Sequence, residues 1–219
     1  MSNEKILIYL GLNYGDSLMS MCHLYDKCIG FEANPNLIEL LQNRFKNHSN
    51  VVIINAAACD SNQDQILNIC ANIGHEIHEK NQTSSLGVPS EYSKIHQDGN
   101  NITLVNKVKV PGVYLPDFLE KKGITQIDTY VSDIQGMDYT VLNTLKDLIN
   151  NKKITNIQVE SACDYMDGEL YDGIPSNNEN LFYDLLLDNY ELIGKSEGKY
   201  DKNDKSRWMD RDLFFKVKI

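Results

Sequence analysis

Short apolar runs alternate with amphipathic stretches from the start of the chain. Runs at 5–10, 27–32, 51–57, 127–132 and 154–160 have the length and β-branched content of buried strands, and a further pair falls near 189–194 and 212–219. Between the first three runs the spacing becomes helical, over 16–25 and 36–46. In the second of these helices, Asn34-Pro35-Asn36 supplies a turn and a cap, and Leu37, Leu40, Leu41 and Phe45 fall on one face. Helices are also predicted over 137–149, with Val141, Leu142, Leu145 and Leu148 as the stripe, and over 178–188, where Leu181, Leu185 and Leu186 recur. This order predicts an α/β fold, a mostly parallel sheet with helices on both faces joined by right-handed crossovers. No helix separates the last two runs, so they are expected to pair as an antiparallel hairpin at the sheet edge.

Residues 61–110 break the rhythm. Strands are expected at 65–71 and 102–110, and the polar stretch 72–101, rich in Asn, Gln, Ser, His and Gly, reads as an insert or lid. The length, 219 residues, suits one domain over 1–219.

Composition narrows the function. A net charge of −10 argues against a nucleic-acid partner, because phosphate binding needs clustered Lys and Arg. The basic residues between Lys195 and Arg211 are interleaved with Glu197, Asp201, Asp204 and Asp210, as on a solvated loop. Five cysteines, with no Cys-x-x-Cys pair, point to buried free thiols and a reducing, cytoplasmic compartment. No apolar stretch approaches the twenty residues of a membrane span, so no membrane partner is expected.

The densest signal is Gly11-Leu12-Asn13-Tyr14-Gly15, which directly follows the first apolar run. A glycine turn there lets the backbone approach a ligand closely. Glu32, ending the second run about twenty residues on, stands where a carboxylate grips both hydroxyls of a ribose. The pattern points to a nucleoside-bearing cofactor, and a plain strand–turn–helix is the alternative. A nicotinamide fingerprint fits less well, since Gly11-x-x-x-Gly15 lacks the third glycine and its spacing.

Several pieces together resemble the FkbM-type family of S-adenosylmethionine-dependent methyltransferases: the glycine turn, Gly30-Phe31-Glu32-Ala33-Asn34-Pro35, Asn55-Ala56-Ala57-Ala58-Cys59-Asp60, the stretch from Val113 to Leu119, and the stretch from Ile127 through Asp133, Gly136 and Asp138 to Leu142. The resemblance runs over nearly the whole chain. It implies a Rossmann-like seven-stranded sheet, with 213–219 as its closing edge strand, and methylation of hydroxyl groups on sugars or other natural products. The chain departs from that pattern at Tyr9, where the family has an acid, and at Val131 and Gln135, where it has Lys and Glu. These departures motivate a second reading, a catalytically weakened domain that binds only the cofactor or a partner protein.

On the resemblance, Gly11, Asn13 and Gly15 wrap the cofactor's methionine half, Glu32 takes the ribose and Asp60 the adenine amino group. Asp133, ending the fourth strand at the carboxyl edge where ligands of open α/β sheets lie, is expected to be the general base or a metal ligand, with a helix N-cap as its alternative. Glu160 ends the neighbouring strand as its catalytic partner. Asp133, Glu160 and Asp164 together would suit a divalent cation such as Mg²⁺. Asp138, Asp164 and Tyr165 are expected at a small-molecule or glycan acceptor, with Tyr171 stacking on a sugar face, and Thr83-Ser84-Ser85-Leu86 near cofactor or acceptor. His75 and His78 share a helical spacing, but their order with Glu76 and Glu79 is not that of a zinc protease, and a solvated segment is expected.

Overall fold

The computed structural model describes residues 4–73, 83–91, 101–164, 168–196 and 210–219. The first half runs β1 (Ile6–Leu10), α1 (Asp16–Met21), β2 (Lys27–Glu32), α2 (Ile38–Phe45), β3 (Val51–Asn55), β4 (Ala57–Cys59), β5 (Gln65–Ile73), β6 (Val88–Pro89), β7 (Asn101–Val110) and β8 (Gly112–Tyr114). The second runs α3 (Leu115–Lys121), β9 (Ile127–Ser132), α4 (Asp138–Thr144), α5 (Lys146–Asn150), β10 (Ile154–Ala162), β11 (Tyr171–Asp172), α6 (Glu179–Leu186), β12 (Tyr190–Lys195) and β13 (Asp210–Val217).

Seven strands form one sheet in the order β3-β2-β1-β9-β10-β13-β12. The five from β3 to β10 are parallel, as their helical crossovers require, whereas β13 is antiparallel to both neighbours. The predicted hairpin forms with its strands in the less obvious places: β13 inserts beside β10 and β12 takes the edge. Strand order reverses at β1, whose neighbours are β2 and β9, so the carboxyl ends of these strands open the crevice where ligands of such sheets bind.

Alternation along β1 shows how the sheet is covered. Ile6, Ile8 and Leu10 join one apolar layer with Leu115, Val141, Leu142, Ile149, Phe182 and Leu186, so α3 to α6 lie on that face. Leu7 and Tyr9 join the other with Leu18, Leu41 and Phe45 of α1 and α2. All five cysteines are free and buried.

The predicted helices are shorter than their periodicity. The stretch 16–25 ends in a 3₁₀ turn at Cys22–Leu24, and 36–46 begins with one at Pro35–Leu37, whose Asn34 side chain accepts from Asn36 N as expected of a cap. The stretch 137–149 divides at Leu145 into α4 and α5. The run 51–57 also divides, with Ala57–Cys59 leaving β3 to pair with β8. β5 and β7 pair along their length as an antiparallel ribbon outside the main sheet. Among the described residues no helix is long and apolar enough to cross a membrane.

Candidate active site

The turn after β1 is locked to the ends of two other strands. Gly11 lies at φ +81° and donates its N–H to Phe31 O at 3.0 Å. Asn13, also left-handed (φ 49°), donates its N–H to Glu32 Oε2 at 2.7 Å, and Asn34 N donates to Oε1 at 2.7 Å. Glu32, 7% exposed, therefore holds the turn with both carboxylate oxygens, each keeping a lone pair for a further donor. Burial raises its pKa, and the two amides pull the other way. Asn13 Oδ1 is buried and has no hydrogen-bond partner. Asp60 lies exposed just past β4. Glu32→Ala should leave two amides without their acceptor and any ribose without its grip. A charge-assisted bond is worth about 1.5–3 kcal/mol, so titration calorimetry with S-adenosylhomocysteine should register a loss of about 10- to 100-fold. Unchanged affinity would place the nucleoside elsewhere.

Tyr9 and Val131 turn out to be one feature. They are partners in the β1–β9 register, both are buried in the layer that holds Leu7 and Leu12, and burial pushes the Tyr9 phenol up to about 12. An aromatic beside an aliphatic side chain leaves no unpaired ion at these adjacent positions.

Asp133 begins the loop after β9, five residues before α4, and so is not that helix's N-cap. Its backbone N–H donates to Leu10 O at 3.1 Å, fixing it beside the glycine turn. Gln135 Nε2 donates to Asp133 Oδ1 at 2.9 Å and to Glu160 Oε2 at 2.8 Å, which brings the two expected catalytic carboxyls together. Protein crowds Asp133 and raises its pKa, opposed by its bonds to Gln135 and Glu160. The residue still presents solvent-accessible surface, so water screens part of that rise. Glu160 is pushed well above the usual carboxylate range, first by burial and then by the charges of Asp133, Asp210, Asp138 and Asp212.

Asp138 does not reach an acceptor. It is 0% exposed, and its carboxylate accepts from the loop and its surroundings: Ser132 Oγ, Ile134 N at 3.1 Å, Gly136 N at 3.3 Å and Asn177 Nδ2 at 3.3 Å. Its role is to shape the 133–136 loop from inside. Burial raises it to about 7 against the pull of those donors. Asn177 completes the brace, accepting from Tyr139 N at 2.9 Å and donating to Glu160 O at 3.1 Å.

Asp164 also departs from its expected place. It is exposed and faces Arg211, with 4.0 Å between Oδ1 and the guanidinium, because that cation draws it toward β13. The three carboxyls thus do not converge, and among the described residues no group of three or more His, Cys, Asp or Glu could hold a metal ion. The expected divalent cation has no support in this arrangement. Tyr165 and the pair His75 and His78 lie outside the described residues. Tyr171 is buried rather than free to stack: its hydroxyl donates to Gln135 Oε1 at 2.8 Å and lies 3.2 Å from Thr83 O. Ser85 Oγ donates to Gln135 O at 2.6 Å, so the Thr83-to-Leu86 stretch bears on the loop that holds Asp133.

Beside this network lies an open cleft of about 330 Å³, solvent-facing space included, lined among others by Gly136, Glu160, Glu169, Tyr171, Asn177 and Asp210. Asn177 and Asp210 escaped the sequence reading as site residues. They lie 17 and 50 residues from Glu160 along the chain, and no local pattern marks them.

A profile of the FkbM methyltransferase domain matches residues 10–183. No match was found among curated protein sequences. Among solved structures, the chain resembles methyltransferase FkbM from Methylobacillus flagellatus KT at 12% identity and a TM-score of 0.50, covering 97% of this chain and 43% of that one. It also resembles M. capricolum TrmK bound to the cofactor product S-adenosylhomocysteine (11% identity, TM-score 0.46, covering 99% and 64%). A third is the N-methyltransferase NodS from Bradyrhizobium japonicum WM9 (8% identity, TM-score 0.46, covering 98% and 86%). The chain thus spans less than two thirds of the length of the first two proteins.

Proposed function

The chain belongs to the FkbM methyltransferase family, and on that premise we propose that it is an S-adenosylmethionine-dependent O-methyltransferase whose acceptor is a hydroxyl of a sugar, glycan or related small molecule. The observation that carries the reading is Asp133, a solvent-reached carboxyl joined to Glu160 through Gln135 and fixed by its backbone beside the glycine turn. Gly11, Asn13 and Glu32 would hold the cofactor. The fit rests on Asn13 Oδ1, a buried acceptor that an ammonium would satisfy, and on the free lone pairs of Glu32. When bound, S-adenosylmethionine supplies a methyl group on a sulfonium, so the protein's task is alignment and proton removal.

A sugar hydroxyl is a poor nucleophile at neutral pH and needs a base positioned in the transition state. Asp133 takes that proton. The protein packed around it raises its proton affinity above that of an ordinary aspartate, against the pull of its bonds to Gln135 and Glu160, which brings it closer to a working base near neutrality. Glu160, Glu169 and Asp210, along the cleft, are acceptors for the acceptor molecule's other hydroxyls. An acidic surface of net charge −10 favours such a ligand over a nucleic acid.

Asp133→Asn keeps the shape and removes the base. Turnover at saturating acceptor should fall about 10²- to 10⁴-fold, the range of general-base contributions, while affinity for S-adenosylhomocysteine changes less than about twofold. Retained turnover would move the base to another residue. The uncharged pair Tyr9 and Val131 favours a second reading, a domain that binds the cofactor without turnover. Calorimetric binding of S-adenosylhomocysteine with no methyl transfer to any of a panel of monosaccharides would support it.

A further inference from the structure

Gln135 keeps its backbone in the left-handed region (φ 55°), which a residue with a side chain retains only where its surroundings hold it. Its surroundings do so from two sides. Ser85 Oγ fixes its carbonyl, and the Tyr171 hydroxyl fixes its Oε1 at 2.8 Å. With the oxygen turned toward Tyr171, the amide nitrogen points at the ends of β9 and β10, where Asp133 Oδ1 and Glu160 Oε2 stand at 2.9 and 2.8 Å. A primary amide carries two N–H donors, so one goes to each carboxyl and none is left over. The opposite orientation would set an amide oxygen against two carboxyls, and the network excludes it.

The charged and titratable groups facing this pair from the packed elements are acids: Asp138 from α4, Asp210 and Asp212 from β13, Tyr171 from β11, and Glu32 from β2. Two carboxylates held this close among other acids do not both ionise freely, and the economical state keeps one proton between them.

We propose that Gln135 is a positioning residue that ties Asp133 and Glu160 into a single unit sharing one proton, with Asp133 as the member presented to the acceptor. The inference rests on the methyltransferase reading for its catalytic use, although the geometry stands without it. The ionised member takes the proton of the acceptor hydroxyl, and the pair, then doubly protonated, returns one proton to water. The shared proton therefore stays in the pair through the cycle, and Gln135 never gains or loses one.

The test is a carbon-13 NMR titration of the Asp133 and Glu160 carboxyls in the whole protein, with and without S-adenosylhomocysteine. In the wild type both carbons should move together through two common steps. Gln135→Met keeps the length and loses both donors; the common steps should separate and the midpoints shift by at least about one pH unit. Gln135→Asn keeps the amide but is one methylene too short to reach both carboxyls, and should give the same separation. Should either variant fail to fold, Tyr171→Phe releases Oε1 while leaving Gln135 in place, and a smaller shift of the same sign is expected. Independent titration of the two carboxyls in the wild type, or variant curves that superimpose on it, would overturn the proposal. Wild-type protein that binds no S-adenosylhomocysteine would remove the methyltransferase reading alone, and the titration would still decide the role of Gln135.

Discussion

Gly11→Ala is expected to destabilise the protein by at least about 4 kcal/mol and to abolish measurable binding of S-adenosylhomocysteine. A Cβ at this position would stand 1.8 Å from Asp133 O and 2.7 Å from its carbonyl carbon, both backbone atoms that no rotamer change can move. The φ of +81° adds the cost of left-handed backbone for an L-residue, about 1–2 kcal/mol. Relief requires the ends of β1 and β9 to part, which breaks the bonds from Gly11 N to Phe31 O and from Asp133 N to Leu10 O. Two other glycines with positive φ calibrate the effect. At Gly15 the new Cβ meets Leu41 and Phe45 side chains at 2.8 Å, which can shift, so a loss of about 2 kcal/mol is expected. At Gly123 nothing lies within 4 Å, and the backbone cost alone, about 1 kcal/mol, remains. Urea unfolding of the three variants should rank Gly11 above Gly15 above Gly123. A Gly11 variant as stable as the Gly123 one would mean that the two strand ends do not meet.

Stability should fall as pH rises from about 4 to about 8, the reverse of a protein held by salt-bridged carboxylates. The cause is a set of carboxyls whose pKa is raised by burial: Asp138 to about 7, Asp210 to about 6, and Asp133 and Glu160 in the same direction. A carboxyl that is a weaker acid folded than unfolded binds its proton more tightly in the folded state. Its contribution to stability is whole below the unfolded pKa, near 4, and is lost as pH climbs through the folded value. Each tenfold change in acid strength is worth about 1.4 kcal/mol, so Asp138 alone sets a loss on the order of 4 kcal/mol across that window. Denaturant unfolding at pH 5 and pH 8 reads the difference directly. Asp138→Asn removes the titration and should flatten the profile, though its amide meets the Gly136 and Asn177 donors poorly and lowers the stability at pH 5. A wild-type profile that rises between pH 5 and pH 8 would mean that these carboxyls are ionised and paired in the folded protein.

Much of the frame was legible because its signals are local. The apolar runs of β1, β2, β9 and β10 and the stripes of α2, α4 and α6 follow from periodicity, and the cap at Asn34 from three adjacent residues. The site was legible only where it rides on that frame. Asp133 and Glu160 each follow the last paired residues, Ser132 and Val159, of neighbouring parallel strands, so their meeting follows from strand order. Asp138 was misplaced because an acid at a helix start reads as surface charge, and its four donors come from Ser132, two loop amides and Asn177, none of which a helical period predicts. Gln135 was visible only as a departure from a family pattern. What it binds depends on a backbone angle and on Ser85 and Tyr171, 50 and 36 residues away.

By itself the sequence determined the alternating α/β order, the parallel core of the sheet, the glycine turn with Glu32 beyond it and the family, since each depends on residue spacing within one element or on an unbroken motif. Only the tertiary structure decided that β13 enters the sheet ahead of β12, that Asp164 turns to Arg211, that Tyr9 rests beside Val131, and that one amide spans Asp133 and Glu160. These outcomes depend on contacts between distant segments, where burial and hydrogen-bond satisfaction choose among partners that the chain order leaves equivalent.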